Sequence, residues 1–405
     1  MKTPELLAPV GSFPMLVTAV NAGANAVYFG LQKYGMRANA KNFTIKDLPE
    51  MRKICKKIKM YLTLNTIVYS GELKDIEKTI EKSKKHIDAI ICWDLAIIQL
   101  CKKHKVPFHI STQASISNTE SAKFYKKLGA ERIVLARELN LKQIKEISKI
   151  IPVEAFAHGA MCVSVSGRCF TSQFLFNKSA NRGECIHPCR RTYTVKDDQE
   201  GYELKLEKNK VMSAKDLCML PFIEEMKQAG IISFKIEGRN RDPRYVEAVI
   251  RIYRKALDKK MPKHSAIRGT LSSAAKEELR KDMEELKTVY NRKFSSGFYL
   301  GKPTPKDFSD IENSASQEKK HFIGKIKHYY SKAEVGTIKL VAPVKVGDDL
   351  CIIGNETGIK FSKIESIEIK NKPKTKAIKA QEIGIKLPLV RKNDEVYKII
   401  KKKEK

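Results

Sequence analysis

Eight short apolar runs recur along the first 260 residues, and amphipathic helical patterns alternate with them. The runs cover residues 5–8, 26–30, 61–65, 88–92, 107–111, 132–136, 153–157 and 232–236. The helical patterns cover 13–21, 48–57, 73–84, 95–103, 119–128, 141–149, 216–229 and 243–257. Alternation of this kind joins parallel strands by right-handed crossovers. Eight such units predict a closed α/β architecture, a (β/α)8 TIM-barrel-like domain over residues 1–260, rather than an open sheet. The one long interruption separates the seventh strand from its helix and spans residues 159–212.

A barrel of this type places its chemistry at the C-terminal ends of its strands. Polar or glycine residues stand at nearly all of those ends here: Gly11, Gly30, Asn65, Asp94, Thr112, Gln113, Arg137, Glu138, His158, Gly159, Glu237, Gly238 and Arg239. Turn and N-cap chemistry accounts for Gly11 and Asp94. It accounts less readily for Arg137-Glu138 and Glu237-Gly238-Arg239, which suit either a binding site or a layer of ion pairs. His158 suits a proton donor or a substrate ligand, although a single histidine is more often held by a neighbouring backbone group.

The interruption carries Cys162, Cys169, Cys185 and Cys189, spaced C-x6-C-x15-C-x3-C, four of the nine cysteines in the chain. The start of the chain has no apolar segment of signal length, and no run approaches a membrane span, so a cytoplasmic, reducing setting is expected. Clustered thiols there point to metal rather than disulfides. Structural zinc favours ligand pairs two to four residues apart, and only Cys185 and Cys189 meet that. An iron–sulfur cluster tolerates the irregular spacing, and zinc remains the alternative. Arg168, Arg182, Arg190 and Arg191 flank the cysteines and would offset thiolate charge. His187 lies between two of them as a supporting residue. The other five cysteines are dispersed and read as small core residues.

Past the barrel, residues 261–320 read as a charged helix followed by a polar linker. Residues 321–401 read as short strands, at 323–328, 335–340, 349–353, 364–369 and 382–387, which predict a small C-terminal β-barrel. The formal net charge of +32 suits a polyanionic partner such as RNA and gives the β-barrel a role as a possible RNA-docking element. Neither H-E-x-x-H nor G-x-S-x-G occurs, so the common hydrolase motifs are missing.

The motifs themselves carry a resemblance. HGAMCVSVSGRC at 158–169 and GECIHPCR at 183–190 are preceded by LLAPVGS (6–12), GANAVYFG (23–30), STQASISN (111–118) and LARELN (135–140). They are followed by SAKDLC (213–218), FKIEGR (234–239) and NRKFSSGF (291–298). In order and spacing the chain resembles the U32 peptidase-like family over nearly its whole length, and within it most resembles the prephenate-dependent tRNA uridine hydroxylases. The resemblance implies a [4Fe–4S] cluster on Cys162, Cys169, Cys185 and Cys189. It implies oxygen-independent conversion of the wobble uridine of tRNA to 5-hydroxyuridine, with prephenate as hydroxyl source.

On that reading Arg137 and Arg239 bind the carboxylates of the small co-substrate, since guanidinium matches carboxylate bidentately. His158 or Glu237 moves a proton, and Asn65 and Gln113 orient a base or the co-substrate. Three other functions stay open: hydroxylation of ribosomal RNA, hydroxylation of a quinone precursor, and the collagenase-type peptidase activity that the family name records. Where relatives often read Asn-Arg-Gly-Phe, this chain reads Asn291-Arg292-Lys293-Phe294.

Overall fold

The computed structural model describes residues 3–38, 40–206, 212–259, 272–311 and 313–402. The end of the cysteine-bearing insertion (207–211), the start of the helical and linker region (260–271) and the last residues of the lysine-rich tail lie outside the described residues.

The N-terminal domain begins β1 (Glu5–Pro9), β2 (Ala26–Gly30), β3 (Lys59–Thr63), β4 (Ala89–Cys92), β5 (Phe108–Ile110), β6 (Arg132–Val134) and β7 (Val153–Gly159). The insertion adds β8 (Tyr193–Lys196), β9 (Glu203–Leu206) and β10 (Asp216–Cys218), and β11 (Ile231–Ile236) completes the set. Strands β1 to β7 pair in parallel in chain order, β11 pairs with β1, and β11 also pairs with β7. The eight parallel strands therefore close into a barrel, as the alternation predicts. Helices α1 (Phe13–Asn21), α2 (Leu48–Cys55), α3 (Leu73–Ser83), α4 (Leu95–Lys103), α5 (Thr119–Leu128) and α6 (Leu141–Ser148) return the chain between strands. A short α7 (Thr171–Phe176) lies in the insertion, α8 (Ile223–Gln228) precedes β11, and α9 (Pro243–Asp258) follows it.

Period-two alternation sorts the strand residues into two layers. Leu6, Ala8, Val27, Phe29, Met60 and Leu62 join the main core against the helices. Leu7, Ala26, Tyr28, Tyr61, Ala89 and Ile91 form a separate cluster inside the barrel. Helix ends follow the sequence closely: Asp94 caps α4 by accepting from the Ala96 amide at 2.9 Å, as turn chemistry suggests.

One helical expectation fails. Residues 216–229 contain strand β10 before helix α8. Leu217 and Cys218 pair antiparallel with the end of β7, and Leu220-Pro221 then delays the helix to Ile223. Helix α10 (Ser273–Thr288) and the two-residue strand β12 (Phe294–Ser295) follow, with β12 beside β10. The polar segment after them is pinned to the barrel by backbone bonds such as Ser309 N to Ser213 O and Lys215 N to Asp307 O.

The C-terminal β-barrel is not found. Its strands are β13 (Glu318–Tyr330), β14 (Val335–Lys339), β15 (Val344–Lys345), β16 (Asp349–Gly354), β17 (Gly358–Lys363) and β18 (Ile367–Ile369). They continue with β19 (Lys372–Lys374), β20 (Lys376–Ala377), β21 (Glu382–Lys386) and β22 (Glu395–Lys401). Eight of them make one open sheet in the order β17-β16-β22-β13-β14-β21-β18-β19, and β15 pairs with β20 apart from it. Both edges have a physical reason to stay unpaired. Edge strand β17 lies against α1 and α9 of the barrel domain. Edge strand β19 reads Lys-Pro-Lys and is exposed throughout; proline offers no ladder N–H, and edge lysines resist further pairing. The sheet has its own core, including Ile323, Ile326, Ile338, Leu350, Ile352, Ile383 and Val396.

Candidate active site

The strand ends open on a cavity of about 440 Å³ roofed by the insertion. Loops after β2, β3, β5, β6, β7 and β11 all contribute: Arg37, Asn65, Gln113, Arg137, Met161 and Glu237. All four clustered cysteines border the same volume. Each is a free thiol, with Cys162 exposed and the other three partly covered. Among the described residues, no three His, Cys, Asp or Glu side chains converge as a single-ion chelate. The thiols are fixed by their loops. The Cys169 amide donates to Asn181 Oδ1 at 2.9 Å, Cys169 Sγ meets Thr171 Oγ1 at 3.3 Å, and Ser172 Oγ lies 3.9 Å from Cys185 Sγ.

Of the four arginines flanking the cysteines, only Arg190 lines the cavity. Its guanidinium donates to Ser213 Oγ at 2.8 Å and Met161 O at 2.6 Å, while its buried Nε has no partner among the described residues. Arg168 instead donates to Gln113 O, Arg182 grips Glu72, and Arg191 stacks over Phe176.

Six cationic side chains line the cavity, Arg37, Arg137, Arg190, Lys235, Arg239 and Arg292, against the single carboxylate of Glu237. Arg37 holds Glu237 through Nε at 3.0 Å and Nη2 at 2.8 Å, both on Oε1. Burial pushes the Glu237 carboxyl up, but Arg37, Arg241 and Arg137 outweigh it and bring it down to about 2. Glu237 is therefore a fixed anion with little basicity, and its buried Oε2 has no protein partner among the described residues. Burial lowers Arg239 to about 10, which leaves it cationic at neutral pH. Arg239 donates to Thr63 Oγ1 at 2.9 Å. Arg137 is stacked 3.8 Å over the Phe156 ring and donates through Nη1 to Ala160 O at 2.7 Å, with its Nε unpartnered among the described residues. Asn65 Nδ2 donates to Ser111 Oγ at 3.2 Å and Gln113 Oε1 at 3.4 Å, so Asn65 and Gln113 act as one unit.

His158 stands apart from these residues. It does not line the cavity but packs between Tyr245, Tyr253 and Phe294, with Nδ1 3.3 Å from Tyr253 Oη. Burial alone drives its pKa to about 3, so the ring is neutral at working pH. His187 does line the cavity, on a left-handed backbone with φ 58°.

Arg37, Lys235 and Arg292 escape the sequence reading. Arg37 sits in an irregular loop that no periodicity marks. Lys235 left a trace: it is a lysine inside a strand that otherwise reads as buried. Lys293 adopts φ 61°, a backbone region that glycine enters freely, and its Nζ reaches Asp310 at 3.0 Å.

Comparison with known proteins follows the same outline. A model of "Peptidase family U32" matches residues 11–309. The chain is 38% identical over 419 residues to a protein of Porphyromonas gingivalis named collagenase, covering 99% of each. It is 39% identical over 408 residues to an uncharacterized protease of Methanocaldococcus jannaschii, covering 97% of each. It is 34% identical over 379 residues to tRNA hydroxylation protein P1 of Bacillus subtilis, covering 90% of this chain and 87% of that one. Among the described residues, no helix is long and apolar enough to cross a membrane.

Proposed function

The chain belongs to peptidase family U32, and from that premise we propose that it is an iron–sulfur-dependent tRNA hydroxylase. Its product is 5-hydroxyuridine at the wobble position, made without oxygen, and its hydroxyl source is prephenate or a similar small dicarboxylate. The observation that carries this reading is that four free thiols and a set of guanidinium groups border one cavity at the barrel mouth.

The donor set fits a [4Fe–4S] cluster. Cys162, Cys169, Cys185 and Cys189 supply four soft ligands, and a cubane needs its ligands only to surround it. Arg190 Nε, buried and without a partner among the described residues, would be available to donate to a cluster sulfur. Bound there, the cluster supplies electron transfer for the hydroxylation.

The other residues bind and orient. Arg137, whose Nε has no partner among the described residues, lines the cavity and would take one carboxylate, and Arg239, cationic and steered by Thr63, faces the same volume. Glu237 holds Arg37 in place and repels an anion from its own side, so a dicarboxylate is held by its cations in one orientation. The Asn65–Gln113 pair is the neutral polar surface available to the edge of a base.

Gly30 keeps the room that Arg239 needs, because a Cβ there would lie 2.3 Å from Arg239 Nη1. Gly30→Ala should leave the barrel folded and weaken dicarboxylate binding roughly tenfold, the scale of one charged hydrogen bond. Isothermal titration reads this directly, and unchanged affinity would remove Arg239 from the binding set.

The peptidase reading needs a base beside a nucleophile. His158 is bonded to Tyr253 and lies off the cavity, and Glu237 is too weakly basic, which leaves His187 on the cavity wall as the candidate base for that reading. Nucleoside mass spectrometry of tRNA from cells lacking the gene tests the hydroxylase reading. Loss of 5-hydroxyuridine and its derivatives is expected, and an unchanged level in a strain without a paralogue would overturn it.

A further inference from the structure

The insertion exposes aromatic surface where a soluble loop would ordinarily hide it. Phe174 is 83% exposed, Phe170 62% and Leu175 52%, with Val163 and Val165 each 44% exposed. Phe170 and Phe174 are four residues apart and their rings lie together, centroids 6.0 Å apart at 41°. Isolated exposed apolar residues need no explanation, but a contiguous group marks a contact surface. Its location is specific. Cys169, Thr171 and Leu175, the chain neighbours of Phe170 and Phe174, line the cavity, so the two rings stand at its rim.

Charge decides the occupant. Six cations line the cavity beside the rings; Glu237 lies among them, Glu154 pairs with Lys235 from behind and Asp216 lies 3.9 Å from Arg292, so cations still outnumber acids six to three there, and the whole chain carries +32. Arg191 lies 4.6 Å over Phe176, adding a cation to the aromatic surface itself. An apolar protein partner gains nothing from such a field, whereas RNA does. RNA that delivers one base into a cavity must unstack it, and the neighbouring bases then lose a stacking partner. Exposed aromatic rings beside a cationic groove replace that partner in single-stranded RNA recognition.

We propose that Phe170 and Phe174 form a stacking platform for unpaired RNA bases that flank the nucleotide entering the cavity. The platform rests on the RNA-modification reading above, and it adds a residue-level docking site to it. Because the rings are surface residues, Phe170→Ala with Phe174→Ala should leave the fold and the iron content unchanged.

The test uses the full-length holoprotein in fluorescence anisotropy, with a labelled anticodon stem-loop and a fully paired RNA duplex of equal length. The double variant should bind the stem-loop roughly ten- to hundredfold more weakly and the duplex as the wild type does. Phe170→Trp with Phe174→Trp should restore stem-loop binding. Wild-type protein that binds no RNA would sink the RNA reading and the platform together. Wild-type binding with an unchanged double variant would sink the platform alone, as would an equal loss on stem-loop and duplex. A wild type that self-associates, beside a monomeric variant with unchanged RNA binding, would assign the face to a second copy of the chain instead.

Discussion

Replacing Cys185 with alanine should strip iron and acid-labile sulfide from the protein and bring tRNA 5-hydroxyuridine to the level of a gene deletion. Cys185 borders the cavity on the short loop that also carries His187 and Cys189. That loop is tied to the cavity mouth by its backbone. Gly183 O accepts from the Ala38 amide at 3.0 Å, and a Cβ on Gly183 would lie 3.0 Å from both Arg37 N and Gly35 O. The loop of Arg37 and the cysteine loop are therefore in close contact, and loss of a ligand is expected to loosen both. Cys101→Ala is the matching control, because Cys101 is fully buried in the main core away from the cavity. It should cost stability only, about 1 kcal/mol for a small core truncation, with iron and modification intact. Iron measurement and nucleoside mass spectrometry on the same preparations separate the possibilities. A Cys185→Ala protein that keeps its iron would remove Cys185 from the ligand set. One that loses iron but still modifies tRNA would make the cluster a structural brace.

The barrel was legible because its signal is local and repeated. Strand β2 at Ala26–Gly30 and helix α4 at Leu95–Lys103 can be read from periodicity and flanking turns alone. Closure followed from counting eight such units. The same counting fails for the C-terminal sheet, because short strands announce themselves but the pairing of first and last does not. There the decisive residues are Pro373, which ends one edge, and the α1 surface that takes the other. The four cysteines were legible from clustering, and Asn65, Gln113, Arg137, Glu237 and Arg239 from their places at strand ends. Strand position alone does not say which way a side chain points. His158 therefore reads as a mouth residue although it turns toward Tyr253. Arg37 and Arg292, in irregular segments, become visible only when the loops are folded over the cavity.

Glu154→Ala should be among the most destabilising single changes in the barrel, costing about 3–5 kcal/mol, because it leaves buried cations without their anion. Glu154 is wholly buried on β7 and accepts from Arg132 Nη1 at 3.1 Å and Lys235 Nζ at 2.8 Å. Glu5 completes the layer by accepting from Arg132 Nη1, which Glu154 shares, and from Nη2 at 3.3 Å, with Tyr61 and Ser233 donating to it at 2.8 Å. Two acids and two bases thus balance inside the barrel, beneath the cavity that Lys235 also lines. With Glu154 gone, Lys235 and Arg132 face each other across a low-dielectric space, and the melting temperature should fall by on the order of 10 °C.

The pH dependence supplies an internal check. Burial raises the Glu154 carboxyl, but Lys235 and Arg132 outweigh it and hold it below its ordinary value. A carboxyl depressed in the folded state contributes stability above the usual carboxylate range, and that contribution is lost as pH falls through the folded value. The gap between wild type and Glu154→Ala should therefore be largest near neutrality and shrink progressively below about pH 4.5. Urea unfolding at several pH values measures it. A gap under about 1 kcal/mol at pH 7 would mean that solvation by water or pairing with Glu5 already stabilises both cations, and that the layer fills space rather than holding charge.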